Sequence, residues 1–191
     1  MTDFYVSDRP DHNLIVEQRV ETGDTLHISA GDRQDTVKVS GGGNVDAHLG
    51  EGNDYFNGSH AWGNMTVHGN GGNDVIIGGH GNDYIDGGDF RDVLTGGDGN
   101  DTFHFGRMFS STGGDPYTTR AGSLNKADIV TDFHCGDVAQ FDGWLGNMKW
   151  DSAHGDFLNP AGHVVAHFTG TEGHDMVETS HVGSAQEWML V

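Results

Sequence analysis

The apolar residues of this chain do not recur at helical spacing. From Gly69 to His104 a large apolar side chain stands at every ninth position: Ile76, Ile85, Leu94 and Phe103. A period of nine is too long for a helical face and too sparse for an ordinary alternating strand. It predicts a strand of three residues, pointing out, in and out, followed by a six-residue turn. Upstream, LIVEQRV (14–20), DTLHIS (24–29) and DTVKVS (35–40) alternate apolar and polar residues and predict strands as well. Turn residues separate them at Thr22-Gly23, Ala30-Gly31-Asp32 and Gly41-Gly42-Gly43, so they read as early, degenerate rungs of one solenoid. Downstream, HVVAHFTG, HDMVETSHV and EWMLV read as short strands of an antiparallel cap. A solenoid needs one, because an open last rung exposes unpaired edge groups and apolar surface.

The polar positions sharpen this picture. The same stretch divides into four blocks of nine: GNGGNDVII, GGHGNDYID, GGDFRDVLT and GGDGNDTFH. Each places aspartate sixth (Asp74, Asp83, Asp92, Asp101), and three place asparagine fifth (Asn73, Asn82, Asn100). Glycine permits positive φ, and asparagine tolerates the left-handed region better than most residues. Such turns leave carbonyl oxygens without ladder partners, and carbonyls with a few carboxylates suit a hard cation such as calcium. The blocks follow G-G-x-G-x-D-x-U-x and resemble the calcium-binding repeats of the RTX family of secreted bacterial proteins.

That resemblance implies an all-β fold: a parallel β-roll closed by a C-terminal antiparallel β cap. In such a roll two nonapeptides make one turn, and the ion lies between stacked loops. It is held by carbonyls at positions two and four of one loop, by positions one and three of the next, and by both aspartates. One implied site uses Asn70, Gly72 and Asp74 with Gly87, Asp89 and Asp92. A second uses Gly79, Gly81 and Asp83 with Gly96, Asp98 and Asp101. The repeat continues backwards with small insertions: GEGNDYF carries Asp54 and GDRQDTV carries Asp35, whereas GNMTVHG has Met65 and GNVDAH has Val45 in the aspartate position. Alternate blocks share an edge, so one edge would run Asp35, Asp54, Asp74, Asp92 and the other Val45, Met65, Asp83, Asp101. A third implied site uses Gly50, Gly52 and Asp54 with Gly69, Gly71 and Asp74. A fourth uses Gly31, Arg33 and Asp35 with Leu49, Glu51 and Asp54. The segment ADIVTDFHCGDVAQFDG (127–143) resembles the closure of the roll in serralysin-type proteases and alginate epimerase modules, and implies a terminal ion at Asp128 and Asp137. The cofactor expected is Ca2+, with roughly three to five ions.

Composition narrows the partners. Lys and Arg total 9 against 29 acids, a net charge of −20. That excludes the basic patch of a nucleic-acid or anionic-membrane binder. It also makes folding depend on cations that relieve carboxylate repulsion. Glycine is abundant (32) and proline scarce (3), as a turn-rich solenoid requires. The single cysteine, Cys135, rules out an internal disulfide. No apolar N-terminal segment suggests a cleaved signal peptide or a membrane span. By resemblance the expected partner is a type I secretion apparatus, and the expected location extracellular without a cleaved N-terminal signal. The chain divides into an N-terminal arm (1–13), the roll (14–105), a polar loop (106–126) and a C-terminal capping and secretion-signal region (127–191).

No enzyme motif accompanies the repeats. H-E-x-x-H is absent, and His163-Val-Val-Ala-His167 lacks the glutamate, so its histidines read as an exposed strand face. No G-x-S-x-G elbow occurs. The expected role is non-enzymatic. Two alternatives remain: an extracellular polysaccharide-binding or adhesion module using Tyr55, Trp62, Tyr84, Trp144 and Trp150, or the C-terminal fragment of a larger secreted enzyme. Among 13 histidines, His48, His68 and His104 stand with Asp86 at the ninth position of alternate blocks. They are expected in one outward column, either a solvated surface or a strip sensitive to metal or pH.

Overall fold

A computed structural model describes residues 3–7, 13–106, 127–142, 148–182 and 185–191. Most of the expected polar loop (107–126) and Trp144 lie outside the described residues. Among those described there is no helix, and none of them forms a long apolar helix that could cross a membrane.

Among the described residues the chain alternates between two nine-stranded sheets. In the first, β1 (Asp3–Ser7), β3 (Thr25–Ser29), β5 (Asn44–Glu51), β7 (Met65–Gly71), β9 (Tyr84–Asp86), β11 (Thr102–Gly106) and β13 (Val138–Asp142) stack in parallel. In the second, β2 (Ile15–Val20), β4 (Thr36–Gly41), β6 (Tyr55–Ala61), β8 (Val75–Ile77), β10 (Val93–Thr95) and β12 (Asp128–Val130) do the same. The three-residue strands β8, β9 and β10 each bury only their middle residue, Ile76, Ile85 and Leu94. These are the out–in–out strands that the nine-residue period predicts.

Register stacks the inward residues into two apolar columns. One runs Val16, Val37, Phe56, Ile76, Leu94, Val130 and Phe168. The other runs Ile28, Ala47, Val67, Ile85, Phe103 and Ala139. The columns face each other as the core, so every rung is fixed by its neighbours above and below.

The ends differ in two ways from expectation. The stretch read as an N-terminal arm supplies β1, which pairs along its whole length with β3, because D-F-Y-V-S alternates well enough to add an edge strand. At the other end β16 (Val164–Phe168) pairs in parallel with β12 and continues the roll by one strand, since Phe168 extends the apolar column above Val130. Antiparallel pairing begins only beyond it, through β15 (Asp156–Leu158) and β14 (Lys149–Asp151). On the other sheet β18 (Ala185–Leu190) and β17 (Met176–Val182) close antiparallel on β13. An aromatic cluster fills the space beneath the cap. Phe157 lies 4.7 Å from Phe141, 4.9 Å from Trp150 and 5.4 Å from Trp188 between ring centroids, and Phe133 lies 4.9 Å from Phe168.

Candidate metal-binding edges

Where the chain turns from one sheet to the other, an aspartate precedes the next strand. Asp35, Asp54, Asp74, Asp83, Asp92, Asp101, Asp128 and Asp137 are all 3% exposed or less. On one edge the backbone N–H groups of Leu14, Asp35, Asp54, Asp74 and Asp92 donate to Oδ1 of Asp35, Asp54, Asp74, Asp92 and Asp128 at 2.7, 2.7, 2.8, 2.8 and 2.9 Å. On the other, Met65, Asp83 and Asp101 donate to Asp83, Asp101 and Asp137 at 2.8, 2.8 and 2.9 Å. The register pairs Val45 with Met65 below Asp83. One edge therefore carries five stacked carboxylates and the other three.

One oxygen of each carboxylate is thus accounted for. Oδ2 of Asp54, Asp74, Asp92 and Asp101 is buried and accepts no hydrogen bond. Asp83 differs: its Oδ2 accepts the Gly79 N–H at 2.8 Å. A buried carboxylate oxygen with nothing to accept is costly when ionised. Burial accordingly pushes Asp54 and Asp83 up to about 6, Asp74 and Asp101 to about 7 and Asp92 to about 8, each from an ordinary 3.8. Asp128 is raised well above that value, by burial and by the neighbouring Asp92 charge.

The glycines at position one frame these oxygens. A methyl group on Gly69 would strike both Asp74 Oδ2 and the Gly87 carbonyl. One on Gly78 would strike the Gly96 carbonyl and come within 2.7 Å of Asp83 Oδ2. The structure therefore brings Asp74 together with Gly87, and Asp83 with Gly96, around space that only glycine leaves open. The remaining loop groups meet through backbone. The carbonyls of Gly31, Asn70 and Gly79 accept the N–H groups of Glu51, Asp89 and Asp98 at 2.9, 2.6 and 2.9 Å, and Gly71 accepts from Gly52 at 2.7 Å. Each such carbonyl keeps a second lone pair. Position four takes left-handed backbone in most of these loops. Gly52, Gly72 and Gly99 adopt it, and so do Arg33 (φ 124°) and Phe90 (φ 81°) despite their side chains. Gly81 at position four and Gly79 at position two do not, so the loop above Met65 differs in backbone conformation from its neighbours.

At the closing end the sequence reading missed two participants. The Asp132 carboxylate accepts the N–H groups of Gly96 and Gly97, both at 2.8 Å. The His134 ring lies over the same loop, with Nε2 3.0 Å from the Gly97 carbonyl. The signal was present: Asp128 and Asp137 stand one repeat apart, which makes D-F-H-C-G-D-V-A-Q a degenerate nonapeptide with Asp132 first and His134 third.

The histidine column forms as a register feature, with His48 opposite His68, and Asp86 between His68 and His104. The His48 and His68 rings stack at 4.7 Å. His104 bridges Asp86 at 3.0 Å and Asp142 at 3.1 Å. Burial raises Asp86, but its hydrogen bonds with His104 and His68 outweigh that and hold it at about 2. His167 bonds Asp156 at 2.8 Å rather than facing His163. The aromatic residues considered for sugar stacking are dispersed. Tyr55 and Tyr84 lie on different sheets, Trp150 packs in the cap and donates to the His174 carbonyl at 2.9 Å, and Trp62 stacks on His80.

Stacked parallel rungs with buried carboxylates along both edges define a parallel β-roll. Residues 62–94 and 86–107 match the RTX calcium-binding nonapeptide repeat, in four copies, which marks this stretch of the roll as calcium-binding. No curated protein and no solved structure matches the chain.

Proposed function

We propose that this chain is a non-enzymatic module that calcium folds outside the cell. The observation that carries the reading is the set of buried Oδ2 oxygens with no hydrogen-bond donor, on Asp54, Asp74 and Asp92 along one edge and on Asp101 along the other. Ions between successive loops would use the four ligand sets given above, roughly three to five in all; Asp128 and Asp137 end opposite edges and so belong to different loops rather than to the one shared ion that the resemblance implies. Calcium supplies the positive charge that lets these carboxylates ionise while buried. Where calcium is scarce the acidic chain stays open, in a form a type I exporter can thread. Outside, calcium on the order of 10⁻⁴–10⁻³ M, the range of extracellular modules, folds it. Support comes from the repeats, the acidity and the edge geometry. Limited proteolysis tests it: the roll should resist a nonspecific protease in millimolar calcium and be degraded in chelator or in magnesium alone. Equal resistance in all three would sink the proposal.

A further inference from the structure

The closing end of the second edge differs chemically from every loop below it. Asp101, His134 and Asp137 each offer a ligand atom within 4.8 Å of the others, and they are the one such group among the described residues. Asp101 and Asp137 are 1% and 0% exposed, and Asp101 Oδ2 is among the buried oxygens that accept no hydrogen bond. The ring orientation adds an independent constraint. Nε2 of His134 lies 3.0 Å from the Gly97 carbonyl, which can only accept, so Nε2 carries the proton. In the neutral ring that leaves the Nδ1 lone pair pointing towards Asp137 Oδ1, 3.4 Å away, with Asp101 beside it. A lone pair facing two carboxylates is repulsive unless Nδ1 takes up a proton or a metal cation stands between them. Donation of the far ring N–H to a backbone carbonyl is also the usual way a metal-bound imidazole is held in its tautomer and orientation.

We propose that His134 Nδ1, Asp101 and Asp137 form a binding site for a borderline divalent transition metal of the zinc class. Calcium prefers oxygen donors throughout, whereas a set of one imidazole nitrogen and two carboxylates suits zinc. The proposal rests on the reading of the edges as cation sites and changes the metal at the last of them. His80, at the same position of an earlier block, does not reproduce it: its Nδ1 is 2.7 Å from Asp98, and Asp98 is 79% exposed in its side chain. Zinc at the closing end would fasten the last nonapeptide, through Asp137 and His134, to the loop of Asp101.

The test is titration of zinc into the full chain held in excess calcium, followed through the histidine ring resonances and by equilibrium dialysis. The first equivalent should be retained against calcium and should shift the His134 Nδ1 signal ahead of the other histidines. In His134→Gln that equivalent should weaken by more than the roughly 10- to 100-fold that loss of an outer-shell partner costs. Far-UV circular dichroism in calcium checks that the variant is folded and reports the calcium reading separately. No zinc retained against calcium, or retention unchanged in His134→Gln, overturns the proposal even if calcium folds the roll.

Discussion

Asp74 shows how one residue can destabilise one state and be required by another. Its Oδ1 accepts the Asp54 N–H at 2.8 Å, while Oδ2 sits buried beside the Gly87 carbonyl without a donor. Asp74→Asn would keep the first bond, remove the buried charge and offer Nδ2 to that carbonyl. Without calcium at pH 6, where the folded carboxyl is held protonated and the unfolded one ionises, the variant should therefore be the more stable, by about 3 kcal/mol at most. With calcium the sign reverses, because the donor sets above and below both lose a carboxylate, and the calcium midpoint should rise several-fold. Thermal melts in chelator and in calcium check this pair of signs. A loss of stability in both conditions would mean that Asp74 is a structural acceptor and no ligand.

At the scale of elements, the strands written most plainly are those whose only buried residue recurs every nine positions, β8, β9 and β10. There periodicity, turn glycines and the aspartate agree, so edge assignment followed from counting blocks. The closing end was harder to read for physical reasons. In β16 the run V-V-A-H-F buries Val165, Ala166 and Phe168, a pattern compatible with parallel or antiparallel partners, and only contact with β12 decides between them. The hairpin of β14 and β15 has three-residue strands separated by an Asp151-centred turn, too short for periodicity to register. His134 escaped notice because its role depends on a ring orientation that spacing does not encode. The cap's contribution rests on aromatic packing. Phe157→Ala, at a side chain 0% exposed and ringed by Phe141, Trp150 and Trp188, should cost roughly 3–5 kcal/mol. Chemical denaturation in saturating calcium measures it. A loss below about 1 kcal/mol would show that the roll does not depend on its closed end.

Over the whole molecule the two carboxylate columns set the pH response. Without metal, the folded state binds protons at Asp54, Asp74, Asp83, Asp92 and Asp101 up to about pH 6–8, whereas the unfolded chain releases them near 3.8. Their contribution is complete below about pH 4 and is lost as pH rises to about 8. Asp86 acts oppositely: with a folded value of about 2, its contribution holds above pH 4 and is lost on further acidification. The calcium-free roll should thus be most stable near pH 4–5 and weakest at pH 8, seen as a falling melting temperature. A flat profile would mean that the columns are solvated rather than buried. The central claim is that calcium binding and folding are one event. Far-UV circular dichroism during a calcium titration of chelated protein at pH 8 tests it most directly. The account predicts a cooperative gain of β signal with calcium and none with magnesium. A full β spectrum already present in chelator at that pH would contradict it.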